Sequence, residues 1–379
     1  MAGKSKPERE SLERQNAALM AVFERAGFDH IAPDIIQPAD IFLERSGEDI
    51  RARTFVFTDP AGAEMCLRPD LTVPACRYHL SHAGDPAAER RYCYLGPAFR
   101  FPDELLSPQE FTQAGLEWFG ASDPAATEAR VLKLTISALE AAGLTRFRVT
   151  FGDLGLFSAL LADTDMPERW RRRLQHHFWR PHAFRDLLDS FCAARSARRT
   201  SISPLVDQVA GGNALAVVEA ELTQRNVPLV GGRDAVEIAA RLADKAADRR
   251  ETPLDPGSAG QLNAYLAIAG DAAGIDARLS GIVGGARYQA ARGAFARRLF
   301  EMEELGLNPR RFHFAADFGR DLEYYTGFTF QIEADSRHGP VAVAGGGRYD
   351  NLLSDMGSPV PVPAVGCAIH TDRLKAVLS

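Results

Sequence analysis

The sequence predicts an α+β fold: an antiparallel sheet flanked by helices, with a helical insertion in the middle of the chain. Three observations lead there. Short, aromatic-rich runs are joined by turn residues and not by long crossovers, which favours hairpins over a parallel doubly wound sheet. Across residues 154–277 helical patterns dominate and strand signals nearly vanish. Strand patterns then resume after a long helix over 289–305. The expected division is therefore 8–153 for the first part of the core, 154–277 for the insertion, and 278–379 for the second part.

Bulk properties narrow the function. The 379 residues suffice for a large core and for more than one compact unit, and 46% hydrophobic residues make the chain globular. A net charge of −6 argues against a protein whose main task is gripping nucleic acid. Cys66, Cys76, Cys93, Cys192 and Cys367 are scattered with no C-x-x-C pair. That suits reduced thiols in a cytoplasmic protein better than a disulfide framework or a zinc site. No apolar run reaches membrane-spanning length, and the N-terminus has no apolar signal core, so no membrane partner is expected. There is no nucleophile elbow, no phosphate-binding loop and no metal-ligand spacing, so no cofactor or metal is expected.

Taken in order, residues 8–26 read as a helix, with Leu12, Leu19 and Phe23 near one face and Gly27 where a C-terminal cap belongs. A short strand around 30–33 follows. Residues 54–57 and 64–68 flank Asp59-Pro60-Ala61-Gly62, a turn signal between apolar runs, and so form a hairpin. It delivers Arg68, Asp70 and Thr72 in quick succession, ahead of a helix through 75–80. Asp70 or Thr72 can serve as a helix cap, and that reading stands beside a ligand-binding one.

The stretch from Tyr92 to Gly120 is the most informative. Two aromatic-rich strands, 92–100 and 111–120, enclose a polar loop whose Pro102 and Pro108 bar it from the ladder. Alternation puts Gly96, Ala98 and Arg100 on one face of the first strand, and Gln113, Gly115 and Glu117 on one face of the second. Small residues among an Arg, a Gln and a Glu describe either a shallow floor for a small ligand or an ordinary solvated sheet face.

Residues 123–142 form a helix and 146–152 a strand. Within the insertion, the arginines of 169–173 can meet RNA or simply form a solvated helix face, and adjacent His176 and His177 make a poor metal pair. Residues 210–213 and 252–260 read as turns or linkers. After the 289–305 helix, 311–318, 328–332 and 341–344 read as strands. Gly345-Gly346-Gly347 then admits close backbone approach, and 364–374 is a strand running into a helix.

Several separated stretches thus combine Gly or Pro with Arg, acid, Gln or Tyr at strand ends. In this order they resemble the catalytic core of histidyl-tRNA synthetase, a class II aminoacyl-tRNA synthetase fold. Leu67–Thr72 is similar to the synthetase's Leu-Arg-Pro-acid-x-Thr segment, and 96–100 with 111–120 to the second class II motif. Residues 320–327 resemble the histidine-specific Arg-x-Leu-acid-Tyr-Tyr signature. Residues 345–350 and 366–373 resemble a second histidine-specific segment and the third class II motif. The resemblance implies a bound L-histidine. Asp70, Thr72 and Gln113 would hold its α-amino group. Glu117 and Tyr325 would meet the imidazole, with Tyr324 and Tyr349 beside it, and Arg100 and Arg320 would face the carboxylate. It also implies a homodimer, since class II folds pair through the segment after the first helix.

The departures are equally informative. The synthetase continues past the third motif into an anticodon-reading domain, and no such domain is expected here. Phe101-Pro102-Asp103-Glu104 puts acid where the synthetase loop carries positive charge for ATP and tRNA. In the third motif His370 replaces the Gly on which adenine would lie, although Arg373 remains, so Arg100 and Arg373 mark a vestigial nucleotide site. An intact amino-acid half beside a damaged nucleotide half resembles the regulatory subunits of short-form ATP phosphoribosyltransferase, the first step of histidine biosynthesis. That family implies a non-catalytic chain needed for activity of a separate catalytic subunit. It also implies a part in histidine feedback and assembly into a hetero-oligomer, by resemblance a hetero-octamer. The retained Arg320 keeps open a second expectation, an enzyme that activates histidine or another amino acid without acting on tRNA. A third reading, tRNA binding through the arginines of 169–173, is the weakest.

Overall fold

A computed structural model of the chain describes residues 3–45, 47–102, 108–178, 180–193, 203–209, 212–225, 234–319 and 324–379. The acids Asp103 and Glu104, and with them Arg320, lie outside the described residues.

The first helix, α1 (Lys6–Arg25), begins where the Ser5 N–H and hydroxyl both donate to the Glu8 carboxylate at 2.7 Å. It buries Leu19, Met20 and Phe23, and ends at Gly27, which takes φ +85°. Next come β1 (Asp29–Ile31), β2 (Ile36–Pro38), α2 (Asp40–Arg45), α3 (Gly47–Arg53), β3 (Val56–Thr58) and β4 (Glu64–Leu67). The expected hairpin is β3–β4, and Asp59 shapes its turn by accepting from the N–H groups of Ala61 and Ala63 at 2.8 and 2.9 Å. With β2 these strands make a small separate sheet, ordered β2-β4-β3.

Helix α4 (Thr72–His82) leads into the long hairpin β5 (Arg90–Phe99) and β6 (Glu110–Phe119). Helix α5 (Pro124–Ala141) is capped by Asp123, and β7 (Arg148–Asp153) and α6 (Leu154–Asp163) follow. The next helices are α7 (Glu168–His176), α8 (Pro181–Cys192), α9 (Ser203–Val209), α10 (Ala214–Gln224), α11 (Ala235–Arg250) and α12 (Pro256–Leu266). The stretch 252–260, expected as a linker, instead enters α12, because the Asp255 carboxylate accepts from the Ser258 N–H at 2.9 Å and starts the helix. The chain closes with β8 (Ala269–Asp271), α13 (Ala272–Ser280), α14 (Ala286–Glu304), β9 (His313–Ala315), β10 (Phe328–Ser336), β11 (Gly339–Arg348), α15 (Leu352–Asp355), β12 (Ala364–His370) and α16 (Thr371–Val377).

The main sheet has nine strands in the order β1-β5-β6-β12-β11-β10-β7-β9-β8. From β5 to β7 every neighbouring pair is antiparallel, as expected. Two pairs toward the edges, β1 with β5 and β7 with β9, are parallel. Both join strands separated by long stretches of chain, which is what a parallel pair needs.

The chain divides into two compact units, Met1–Asp163 with Ala264–Ser379, and Thr164–Asn263. The second unit lies inside the expected 154–277 span, while α6, β8 and α13 belong to the first. In the second unit Trp170 stacks on Phe191 at 4.3 Å between centroids. Arg169 pairs with Asp248 and Glu251, Arg173 with Asp248, and Arg171 with Glu168. Much of the charge of the arginine run is therefore neutralised within its own unit, which weakens the RNA reading. The rings of His176 and His177 lie 5.1 Å apart, and among the described residues no cluster of three or more His, Cys, Asp or Glu is placed to hold a metal.

Candidate functional site

The site is built on the middle of the main sheet. In the β5–β6 hairpin Gly96 pairs with Gln113, Tyr94 with Gly115 and Tyr92 with Glu117, so these residues share one face. That face is not an open floor. A Cβ on Gly96 would collide with the Arg68 guanidinium, and one on Gly115 with the Tyr94 ring and the Cys367 carbonyl. Arg68 is buried and donates to the carbonyls of Pro97, at 2.7 Å, and Pro33. It is thus a brace between segments and not a ligand group.

Above this layer lies a cavity of about 300 Å³. Asp70, Thr72, Arg100, Gln113, Tyr324, Tyr325, Tyr349 and Arg373, drawn from five separate stretches of sequence, all line it. Asp70 uses one carboxylate oxygen to accept from the Val73 N–H at 3.2 Å at the start of α4. Its other oxygen, Oδ2, is buried without a hydrogen-bond partner among the described residues. The cap and ligand readings of Asp70 thus fall to different oxygens of one side chain. Burial pushes its carboxyl above the usual carboxylate range, and nearby Arg100 and the N–H groups of Val73 and Thr72 oppose that shift. Gln113 accepts from the Leu71 N–H at 3.2 Å, which fixes its amide.

Arg100 donates from Nε to the Pro69 carbonyl at 2.8 Å and lies over the Phe111 ring at 5.4 Å. Burial lowers its pKa, and Asp70 partly restores it. Arg373, near the start of α16, donates to the Ala342 carbonyl at 3.2 Å. The ring of His370 sits 5.4 Å from Phe111. Tyr324 lies 4.8 Å from Tyr325 and 5.7 Å from Tyr349, so three phenols wall one part of the cavity.

Glu117 is one layer down and is not among the lining residues. It is fully buried, and its carboxylate takes the place that a side chain on cavity-lining Gly366 would fill. Its oxygens accept from the Tyr94 hydroxyl at 3.0 Å and from the Tyr349 hydroxyl. Burial raises its pKa to about 8, against hydrogen bonds from Tyr349, Thr72 and Tyr94. Glu117 therefore meets the cavity through Tyr349 and Thr72. Arg53, Gln331 and His370 also line the cavity. Of these only His370 sat in a stretch the sequence had marked. Gln331 was findable from alternation along β10, whereas nothing around Arg53 signals a site.

A cavity with a carboxylate oxygen unpartnered among the described residues, a half-buried guanidinium and a tyrosine wall suits a small zwitterion with a polar ring. The family model described as histidyl-tRNA synthetase matches residues 4–265 and 217–374. ATP phosphoribosyltransferase regulatory subunits of Brucella canis and Brucella ovis are each 34% identical to this chain over 349 residues, covering 90% of it and 91% of their own length. Among solved structures, an ATP phosphoribosyltransferase regulatory subunit/histidyl-tRNA synthetase from Bacillus halodurans superposes with a TM-score of 0.70 at 21% identity, over 100% of this chain and 82% of that one. A histidyl-tRNA synthetase from Nostoc gives 0.62 at 14% identity, over 100% of this chain and 75% of that one. Those two likenesses establish the fold, and the 34% identity over nearly the whole length establishes the family: the chain belongs to the ATP phosphoribosyltransferase regulatory subunits, built on the class II fold of histidyl-tRNA synthetase.

Proposed function

We propose that the chain is a non-catalytic regulatory subunit of a short-form ATP phosphoribosyltransferase, and that its cavity holds free L-histidine. The observation that carries the ligand is the buried Oδ2 of Asp70, unpartnered among the described residues, in a cavity that also contains Arg100. An α-ammonium satisfies the first group and an α-carboxylate the second. The three tyrosines then face the side chain, with Glu117 behind them fixing the Tyr349 hydroxyl.

The family points to a separate catalytic subunit as partner and to the first step of histidine biosynthesis as the setting. Histidine on this chain changes the partner's activity only if it binds the assembly states unequally, and the partner then changes histidine affinity by the same factor. The chain pairs with a second copy through the region after α1, where Ile35, Ile36, Val56 and Phe57 are exposed apolar side chains on or beside the small sheet.

One observation favours a second reading. Arg100 and Arg373 line the same cavity, so the charges that would meet a nucleotide remain beside the amino-acid pocket. The test is reconstitution with a short-form catalytic subunit, together with ATP–pyrophosphate exchange on the purified chain. The regulatory reading expects phosphoribosyl transfer that depends on this chain and responds to histidine, with no histidine-dependent exchange. Robust exchange would establish amino-acid activation instead.

A further inference from the structure

We infer that Thr326 and Asp350 are positioning residues of the cavity, joining the strand end that carries Tyr349 to the turn that carries Tyr324 and Tyr325. The inference rests on the cavity being the histidine site.

It begins with a buried ion cluster behind the tyrosine wall. Glu128 on α5 is almost fully buried, and its two oxygens are taken by Arg298 of α14 and Arg348 of β11. Arg298 also pairs with Asp153 at 2.7 Å, and Arg348 with Asp350 at 2.8 Å. Buried clusters of this kind recover their desolvation cost poorly as net stability, whereas breaking them is expensive, so fixed geometry is the property to look for.

The outermost member, Asp350, leads to the cavity. Its carboxylate also accepts from the Ala364 N–H at 2.9 Å, while its own N–H donates to the Thr326 hydroxyl at 3.1 Å. The Thr326 N–H donates to the Arg348 carbonyl at 2.8 Å. Thr326 therefore bridges the residues on both sides of Tyr349. Tyr324 and Tyr325 immediately precede it, in a segment that is neither helix nor strand. Gly327 follows closely against this tie, since a Cβ there would lie 3.2 Å from the Arg348 side chain. The tyrosine wall is thus assembled from two distant segments that meet at one threonine oxygen and the backbone of Arg348 and Asp350.

The test uses Thr326→Val, which keeps size and branching but removes the oxygen, and Thr326→Ser, which keeps it. Calorimetric affinity of the full chain for L-histidine is read together with the histidine-induced change in the near-ultraviolet tyrosine circular dichroism, with Asp70→Asn alongside. Thr326→Val is expected to bind about tenfold more weakly, the scale of a lost hydrogen bond, and to lose the dichroism change. Thr326→Ser is expected to restore both, which a purely structural defect in side-chain volume would not predict. If Asp70→Asn loses binding while Thr326→Val binds as wild type, or if Thr326→Ser is as impaired as Thr326→Val, the positioning role is refuted. If wild type takes up no histidine, or Asp70→Asn binds it as tightly as wild type, the site reading fails and the proposal fails with it. Should Thr326→Val not fold, Asp350→Asn is read for the same loss of affinity and of dichroism change, since it keeps the backbone donor and weakens the carboxylate's hold on both Arg348 and the Ala364 N–H.

Discussion

Replacing Glu117 with Gln should change how stability depends on pH more than it changes the fold. The carboxyl is fully buried and its pKa is raised by burial from 4.5 to about 8. Between those values the native protein holds a proton that the unfolded chain has released, so stability falls as pH rises through this window. The penalty is absent below pH 4.5 and complete above pH 8. At about 1.36 kcal/mol per tenfold change in proton affinity, the gap corresponds to on the order of 5 kcal/mol. Gln has nearly the same shape and does not ionise, so this component of the slope should vanish in Glu117→Gln. Any cost of turning the amide among Tyr94, Tyr349 and Thr72 is constant with pH and shifts the curve without tilting it. Urea denaturation at intervals from pH 5 to 9 measures the difference. The variant should gain on wild type steadily as pH rises, by several kcal/mol in all. Parallel curves for the two proteins would refute the assignment of a raised pKa to Glu117.

Three other outcomes are expected. Histidine affinity should fall as pH is lowered through the raised pKa of Asp70, because the protonated acid no longer attracts the ammonium; Asp70→Asn should remove that dependence in calorimetric titrations. Arg373→Ala should leave histidine affinity within about threefold, under 1 kcal/mol, because Arg373 donates to the Ala342 carbonyl on β11 and belongs to the nucleotide half of the cavity; abolition of binding would mean that the ligand occupies the other half of the cavity. Light scattering at micromolar concentration should report a dimer, and Ile36→Glu with Phe57→Glu should weaken it by placing charge in an apolar contact; a wild-type monomer would contradict pairing through the small sheet.

Much of the site was legible because its residues fall on strand ends with strict alternation. The faces of β5 and β6, the turn at Asp59 and the ends of α1 and α5 follow from local rules that need no distant partner. Asp70 was legible only as an ambiguity, since a cap and a ligand group use the same side chain and the sequence cannot show that they use different oxygens. The rest depends on contacts between residues far apart in the chain. Gly96 reads as open floor until Arg68 fills the space, and Glu117 reads as part of a ligand floor or of a solvated face until Gly366 admits its carboxylate beneath β12. Glu128 and Arg298 look like ordinary helix charges, and only packing α5 against α14 and β11 turns them into a buried cluster. The parallel edge pairs were missed for a similar reason: β1 and β9 are short, and their partners lie far along the chain.

Under the proposed function, free L-histidine occupies this cavity with its ammonium on Asp70. A crystal structure of the chain grown with L-histidine tests it most directly. The α-nitrogen should lie within about 3 Å of Asp70 Oδ2, the carboxylate toward Arg100, and the imidazole against Tyr324, Tyr325 and Tyr349. Histidine bound elsewhere, or lying in this cavity with its carboxylate against Asp70, would contradict it.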